Sequence, residues 1–173
     1  WDCTDYLYDP AESLYFRDDG YFDKKTRNGR KTFWSRGNGW VMGGTVRVLQ
    51  YLPQDDPVRP KYIRLHQEMA AKIVTLQGKD GLWRSNLLDP AETPLPETSG
   101  TGFYTYALAW GVNNGTLDRA KYAPAVRKAW RGLVGAVNEQ GRLGWVQQIA
   151  AAPGDVKPDA TQEYAVGAFL LAG

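Results

Sequence analysis

Apolar residues recur at helical spacing in two stretches of the chain. From about Arg59 to Gln77, Tyr62, Leu65, Met69, Ile73 and Leu76 form one stripe, with Arg64, Gln67, Glu68 and Lys72 elsewhere. From about Tyr122 to Val137, Val126, Trp130, Leu133 and Val137 do the same against Arg127, Lys128 and Arg131. Three further stretches are apolar or small on most faces: about Gly39–Leu52, about Gly100–Asn113, and from near Thr161 to the end. A helix apolar all round is buried, and an amphipathic one covers it. The pattern therefore predicts an all-α fold with inner helices rich in Gly and Ala and outer helices with one charged face. His66 lies on a charged outer helix and reads as a surface residue.

The order of these stretches repeats. Leu14-Tyr15, Leu82-Trp83 and Leu143-Gly144-Trp145 each follow an amphipathic helix or helix stub, and each precedes a polar loop and a buried helix. The loop-to-helix junctions fall at Arg36, Ser99 and Thr161, 63 and 62 residues apart. The unit is a two-helix hairpin, which stacks into a solenoid or closes into an α/α toroid. Its long loops, residues 18–35, 85–98 and 147–160, fall at one end of the inner helices, where a binding face is expected. The duplicated Asp-Pro-Ala-Glu, at Asp9–Glu12 and Asp89–Glu92, is out of register with this unit and reads as coincidence.

Composition narrows the function. The chain has 173 residues, 21 Lys plus Arg against 19 Asp plus Glu, a net charge of +2 and 43% hydrophobic residues. Such balance excludes an electrostatic nucleic-acid or membrane binder and a disordered chain. One cysteine, Cys3, excludes an internal disulfide framework and a cysteine-rich metal site. No His pair has metal-ligand spacing and no glycine loop matches a phosphate cradle, so the residues themselves point to no metal or phosphate-bearing cofactor. Twenty-two aromatic residues suit a core, a sugar-stacking cleft, or both. Trp1-Asp2-Cys3-Thr4-Asp5-Tyr6-Leu7 reads as the last turns of a helix, and Val166–Gly173 as a helix cut short. The chain is expected to be a single-domain fragment whose open flanks favour self-association. The compartment stays open.

Three junction segments carry candidate chemistry. Phe33-Trp34-Ser35-Arg36-Gly37-Asn38-Gly39-Trp40 opens a buried helix. Arg36 offers a planar fork for a carboxylate, and Trp34 and Trp40 offer flat apolar faces. That set suits an acidic sugar; a core Trp pair with a structural Arg salt bridge is the equal alternative. Pro96-Glu97-Thr98-Ser99-Gly100-Thr101-Gly102 offers hydroxyls to a sugar, or a plain N-cap by Thr98 or Ser99. In Asp159-Ala160-Thr161-Gln162-Glu163-Tyr164, Asp159 reads as a cap and Tyr164 as part of the wall. Arg17 either enters the cleft or is solvated.

Taken in order, Trp34–Val41, Gly81-Leu82-Trp83-Arg84-Ser85, Pro96–Thr101, Tyr106–Gly111 and Gly167–Ala172 resemble glycoside hydrolase family 105. These are the unsaturated rhamnogalacturonyl hydrolases, close kin of the family 88 unsaturated glucuronyl hydrolases. The resemblance spans essentially the whole chain. It implies the C-terminal half of an (α/α)6 barrel. It also implies hydrolysis of unsaturated galacturonyl-rhamnose oligosaccharides from pectin: an Asp protonates C4 of the C4=C5 enol ether and water adds at C5. No Asp here stands in the matching context, so the acid is expected upstream of Trp1. Asp18, Asp19 and Asp159 are in loops or caps. Binding residues carried over are Arg36, Trp40, Trp34, Asn38, Thr98, Ser99 and Thr101, with Arg17 and Asp18. The alternatives are an unsaturated glucuronyl hydrolase acting on glycosaminoglycan fragments, and a non-catalytic carbohydrate-binding or structural half-toroid.

Overall fold

The computed structural model describes all 173 residues. Six helices dominate: α1 (Asp2–Leu7), α2 (Ser35–Tyr51), α3 (Arg59–Thr75), α4 (Thr98–Asn113), α5 (Arg119–Gly135) and α6 (Glu163–Ala172). Two minimal antiparallel ladders accompany them, β1 (Tyr8–Asp9) with β2 (Leu14–Tyr15) and β3 (Trp83–Arg84) with β4 (Pro96–Glu97). No helix is long and apolar enough to cross a membrane.

The two kinds of helix sort as their patterns require. α4 has no polar face, and its first eleven residues are all buried. It lies between α2 and α6, with α5 also against it. α3 presents Leu65, Met69 and Ile73 to a core shared with Met42, Val46, Tyr104 and Leu108. Small residues let the inner helices approach. A Cβ on Gly39 would lie 3.1 Å from Phe103 Cβ, and one on Gly102 would lie 2.9 Å from Ala168 Cβ and 3.0 Å from Ala168 C. α2 starts at Ser35, four residues before the apolar pattern begins. Gly37, Asn38 and Gly39 are poor helix formers, but tertiary bonds hold the turn. Ser35 N–H donates to Ser85 O at 2.9 Å, and Tyr104 Oη donates to Ser35 O at 2.6 Å.

The repeat is present as a bond. Tyr15 N–H donates to Asn38 Oδ1 at 2.8 Å, and Trp83 N–H donates to Thr101 Oγ1 at 3.0 Å. Asn38 and Thr101 stand two residues past the equivalent junctions Arg36 and Ser99. Each hairpin thus hangs its Leu-aromatic turn on the first turn of an inner helix. The duplicated Asp-Pro-Ala-Glu also folds alike in both copies, with Glu12 N–H donating to Asp9 O at 3.2 Å and Glu92 N–H to Asp89 O at 3.1 Å. α6 begins at Glu163 with Gln162 before it, and no side chain caps it. Asp159 is therefore not its cap. On α6, Leu170 is 70% exposed, and Leu171 and Val166 are exposed as well.

His66 is the main correction. It is fully buried, not on the surface. Its Nε2 meets Ala107 O at 3.1 Å, its ring stands edge-on to Trp110, and Nδ1 has no partner. A Cβ on Gly111 would fall 2.6 Å from His66 Cε1, so glycine makes room for the ring. Burial lowers the imidazole pKa to about 4, against a smaller opposing effect of the Ala107 carbonyl. The ring is neutral in the fold and takes up a proton on unfolding near pH 6.5. Its stabilising contribution is complete above that pH and is lost as pH falls toward 4, by about 3 kcal/mol. Denaturant melts at pH 7 and pH 4.5 should show this loss, and His66→Phe should reduce it. Equal pH slopes in the two proteins would refute the assignment. In the same assay Gly102→Ala should cost about 2 kcal/mol, because the new methyl meets backbone atoms of α6.

Candidate functional site

The three long loops meet at the N-terminal ends of α2 and α4. Trp34 bridges to Asn86, and Tyr21 Oη donates to Ala151 O at 3.1 Å. At their meeting point sits Arg36, in the first turn of α2 and buried. Its guanidinium lies 4.6 Å from the Trp34 ring centre and 4.8 Å from that of Tyr164. Nη1 donates to Gln147 O and, at 3.0 Å, to Tyr164 Oη; Nη2 donates to Gln148 O at 3.1 Å. Tyr164 Oη in turn donates to Gln147 O at 2.6 Å. Burial raises the Tyr164 pKa, and Arg36 opposes that rise. No carboxylate lies within ion-pair distance of Arg36: the four ion pairs are Arg17–Asp18, Lys31–Asp9, Lys72–Glu12 and Arg84–Asp80. The structural salt bridge weighed as the alternative for Arg36 is absent.

Gln147 ties this cluster to α4. Its N–H donates to Glu97 Oε1 at 3.3 Å, its Oε1 accepts from Trp34 Nε1 at 2.7 Å, and its Nε2 donates to Ala152 O at 2.6 Å. Glu97 is fully buried just ahead of α4. It accepts from Ser99 N–H at 3.0 Å, Gly100 N–H at 2.8 Å and the Ser99 hydroxyl. The cap of α4 is therefore Glu97, not Thr98 or Ser99. A carboxylate there also faces the positive end of the helix.

The other expected site residues divide. Trp40 is 51% exposed one turn beyond Arg36, and its ring centre lies 4.2 Å from that of Phe103. Trp34 and Arg17 border a largely apolar cavity of about 520 Å³ together with Phe16, Gly37, Val41 and Tyr62. Arg17 pairs with its neighbour Asp18, and both are partly exposed. Thr98, Ser99 and Thr101 do not reach the rim, whereas Asn38, though buried, lines the same cavity as Trp34 and Arg17. All four are buried and internally bonded: Asn38 Nδ2 donates to Tyr15 O at 3.0 Å, Thr98 Oγ1 to Gly144 O at 2.8 Å, and Thr101 Oγ1 to Glu97 O at 2.6 Å. They hold the turns, and the three hydroxyls are fully buried. Asp19 accepts from Tyr6 Oη at 3.1 Å on an exposed turn.

Gln147 and Glu97 escaped the sequence reading. Glu97 did carry a signal, since it immediately precedes the inner helix. Gln147 carried none. Replacing Glu97 by Ala would leave three buried N–H groups and a hydroxyl without an acceptor. Glu97→Ala should cost on the order of 4 kcal/mol in denaturant melts. A cost under about 1 kcal/mol would show that those donors find other partners.

Comparison with known proteins follows the same lines. A family model described as Glycosyl Hydrolase Family 88 matches residues 2–173. The chain is 51% identical over 173 residues to an unsaturated 3S-rhamnoglycuronyl hydrolase of Formosa agariphila, covering 96% of this chain and 46% of that protein. It is 43% identical over 172 residues to a protein of the same name from Alteromonas sp. (strain LOR), covering 99% of this chain and 42% of that one. The chain thus spans less than half the length of these relatives. A solved family 88 glycosyl hydrolase from Bacteroides vulgatus superimposes with a TM-score of 0.93 at 40% identity, over 99% of this chain and 51% of that one. A solved chain described as a polysaccharide lyase does so with a TM-score of 0.93 at 44% identity, over 98% of this chain and 50% of that one. A possible family 105 member from Salmonella enterica shares 23% identity at a TM-score of 0.79, over 98% of this chain and 45% of that one, a likeness of fold alone. These neighbours are (α/α)6 toroids, and the helical hairpins described above are part of such a ring. The chain belongs to glycosyl hydrolase family 88, the kin named with family 105 in the resemblance.

Proposed function

We propose that the complete protein is an unsaturated glycuronyl hydrolase that removes a terminal C4=C5 unsaturated uronate from a rhamnose-containing oligosaccharide. The observation that carries this reading is Arg36. A buried guanidinium with no carboxylate partner is costly unless something supplies the negative charge. Three of its five N–H groups are engaged, so donors remain for a substrate carboxylate. Trp34 and Tyr164 flank it with ring faces, and Trp40 extends the apolar surface by one helical turn. The cavity beside Trp34 and Arg17 has room for a sugar.

The chemistry is hydration rather than direct displacement. A carboxylic acid donates a proton to C4, and positive charge develops at C5, shared with the ring oxygen. Water adds at C5 and returns a proton to the carboxylate. The C5 hemiketal opens to a ketone, which leaves C1 as a hemiacetal that releases the neighbouring sugar. Holding the substrate carboxylate at C5 fixes the double bond relative to the acid. In this proposal the acid lies outside these 173 residues. Asp18 is paired with Arg17, Asp19 holds Tyr6, and the oxygens of Glu97 already accept four hydrogen bonds.

The glycuronyl-rhamnose reading is favoured over the pectin galacturonyl one. Relatives at 51% and 43% identity carry the name rhamnoglycuronyl hydrolase, whereas the unsaturated rhamnogalacturonyl hydrolase YesR of Bacillus subtilis stands at 25% over 147 residues. Loss of enol-ether absorbance reports turnover of either substrate. In the full-length enzyme Arg36→Lys, which keeps charge but loses the fork, should raise KM for unsaturated glucuronyl-rhamnose about tenfold or more. The uronate methyl ester should be a poor substrate for both enzymes. Unchanged KM and kcat in a variant with a wild-type melting temperature would remove Arg36 from the site.

A further inference from the structure

Three inner helices begin beside one another, and each start supplies one group to the same cluster. α2 supplies the Arg36 guanidinium in its first turn, α4 its cap Glu97, and α6 the Tyr164 phenol in its first turn. Gln147 joins all three. The segment that carries Gln147 enters the cluster through a strained residue. Trp145 has φ +58°, a left-handed conformation that a bulky side chain rarely takes. Thr98 N–H donates to Trp145 O at 3.0 Å, Thr98 Oγ1 donates to Gly144 O at 2.8 Å, and Val146 N–H donates to Ala160 O at 3.0 Å. Strain of this kind persists only where the surroundings over-determine it, and it gathers at functional sites. Here it immediately precedes the two carbonyls, of Gln147 and Gln148, that hold Arg36.

Tyr164 closes the cluster with one oxygen. Its hydroxyl accepts from Arg36 Nη1 at 3.0 Å and donates to Gln147 O at 2.6 Å, while Nη1 also donates to Gln147 O. Burial raises the phenol pKa, so at neutral pH Tyr164 keeps the proton that Gln147 O accepts. Both Nη1 hydrogens are thereby used, and Gln148 O takes one of Nη2. A guanidinium has five N–H groups, so the two that remain are that of Nε and one of Nη2. Nε and Nη2 form one side of the fork, where a carboxylate accepts two parallel bonds. The unbonded Nε is not sealed in the interior: the fully buried side-chain atoms without partners are Ser35 Oγ, His66 Nδ1, Ser85 Oγ and Asn86 Oδ1. Nη1, which a carboxylate needs for the end-on arrangement, is already occupied.

We propose that Tyr164 is a positioning residue of the site: its hydroxyl occupies Nη1 and so leaves Arg36 only its Nε–Nη2 side for the substrate carboxylate. This rests on the functional reading above and adds to it what fixes the orientation of the uronate. A carboxylate taken side-on has one plane and one direction, so the C4=C5 bond next to it faces the acid in one way. With Nη1 freed, the same charge would also hold the carboxylate end-on, with the double bond pointing elsewhere.

The test is Tyr164→Phe in the full-length enzyme, which keeps the ring and removes the oxygen. The charge of Arg36 and the Trp34 ring stay, so the uronate should still bind, but partly in the unproductive orientation. For unsaturated glucuronyl-rhamnose, kcat should fall about tenfold while KM stays level or falls, unlike the KM rise expected for Arg36→Lys. A raised KM at unchanged kcat would make Tyr164 a plain binding group. Unchanged constants with a lowered melting temperature would make its bonds structural only. Either result overturns the proposal. In Arg36→Lys the fork is already gone, so adding Tyr164→Phe should lower kcat about twofold at most; a further tenfold loss would also overturn it. Crystal structures of the full-length wild type and Tyr164→Phe decide the same point without turnover. Arg36 should hold one orientation in the first and more than one in the second, and the same single orientation in both would overturn the positioning role. Absence of turnover by the wild type would overturn the activity, while the two structures would still decide the role of Tyr164.

Discussion

The loop face of this protein depends on one buried residue whose hydrogen-bonding groups are all engaged. Gln147 donates its N–H to Glu97, presents its carbonyl to Arg36 and Tyr164, accepts from the Trp34 indole and donates its side-chain amide to Ala152. A buried polar group left without a partner costs on the order of 1–3 kcal/mol. Five such groups converge here, so the segment has little freedom to be elsewhere. Glu97 is the fixed point beneath it, because the same carboxylate caps α4. The orientation of Arg36 therefore follows from the start of a helix that Arg36 does not belong to.

That arrangement requires the inner helices to stand close together. α2, α4 and α6 meet through Gly39, Gly100, Gly102 and Ala168, where added methyl groups would collide with neighbouring atoms. Close packing sets the N-termini of α2 and α4 side by side, which brings Trp34, Glu97 and the 145–148 segment within hydrogen-bonding reach. The hairpin repeat then supplies the same anchoring bond twice, from Tyr15 to Asn38 and from Trp83 to Thr101. Side chains that look like ligand-binding groups in sequence become the pegs on which the turns hang.

This explains which features were legible. Periodicity separated covering helices from buried ones, and the spacing of the Leu-aromatic turns located the hairpins, because both reflect burial of whole faces. That Arg36 lies beside aromatic rings was legible from Trp34 and Trp40 in the same segment, but its contact with Tyr164 was not, because that ring is brought in by a helix 128 residues away. Thr98, Ser99 and Thr101 are buried for a physical reason that sequence does not display: a hydroxyl at a helix start satisfies the backbone as readily as a ligand, and only burial tells the two apart. His66 was misread because the vacancy that admits it is made by Gly111, 45 residues away in the chain. Gln147 had no local pattern, since its role exists only once three loops have met.

The two neighbouring inner-helix ends differ in a way that bears on the site. α4 begins behind a buried carboxylate, which offsets its positive end. α2 has no acidic residue in its first turn, no side-chain cap, and a guanidinium in that turn instead. The helix dipole and Arg36 therefore add at one end and are uncompensated, whereas Glu97 cancels the equivalent field next door. The fold thus caps one inner helix with a buried acid and leaves its neighbour doubly positive beside the ring faces of Trp34 and Tyr164.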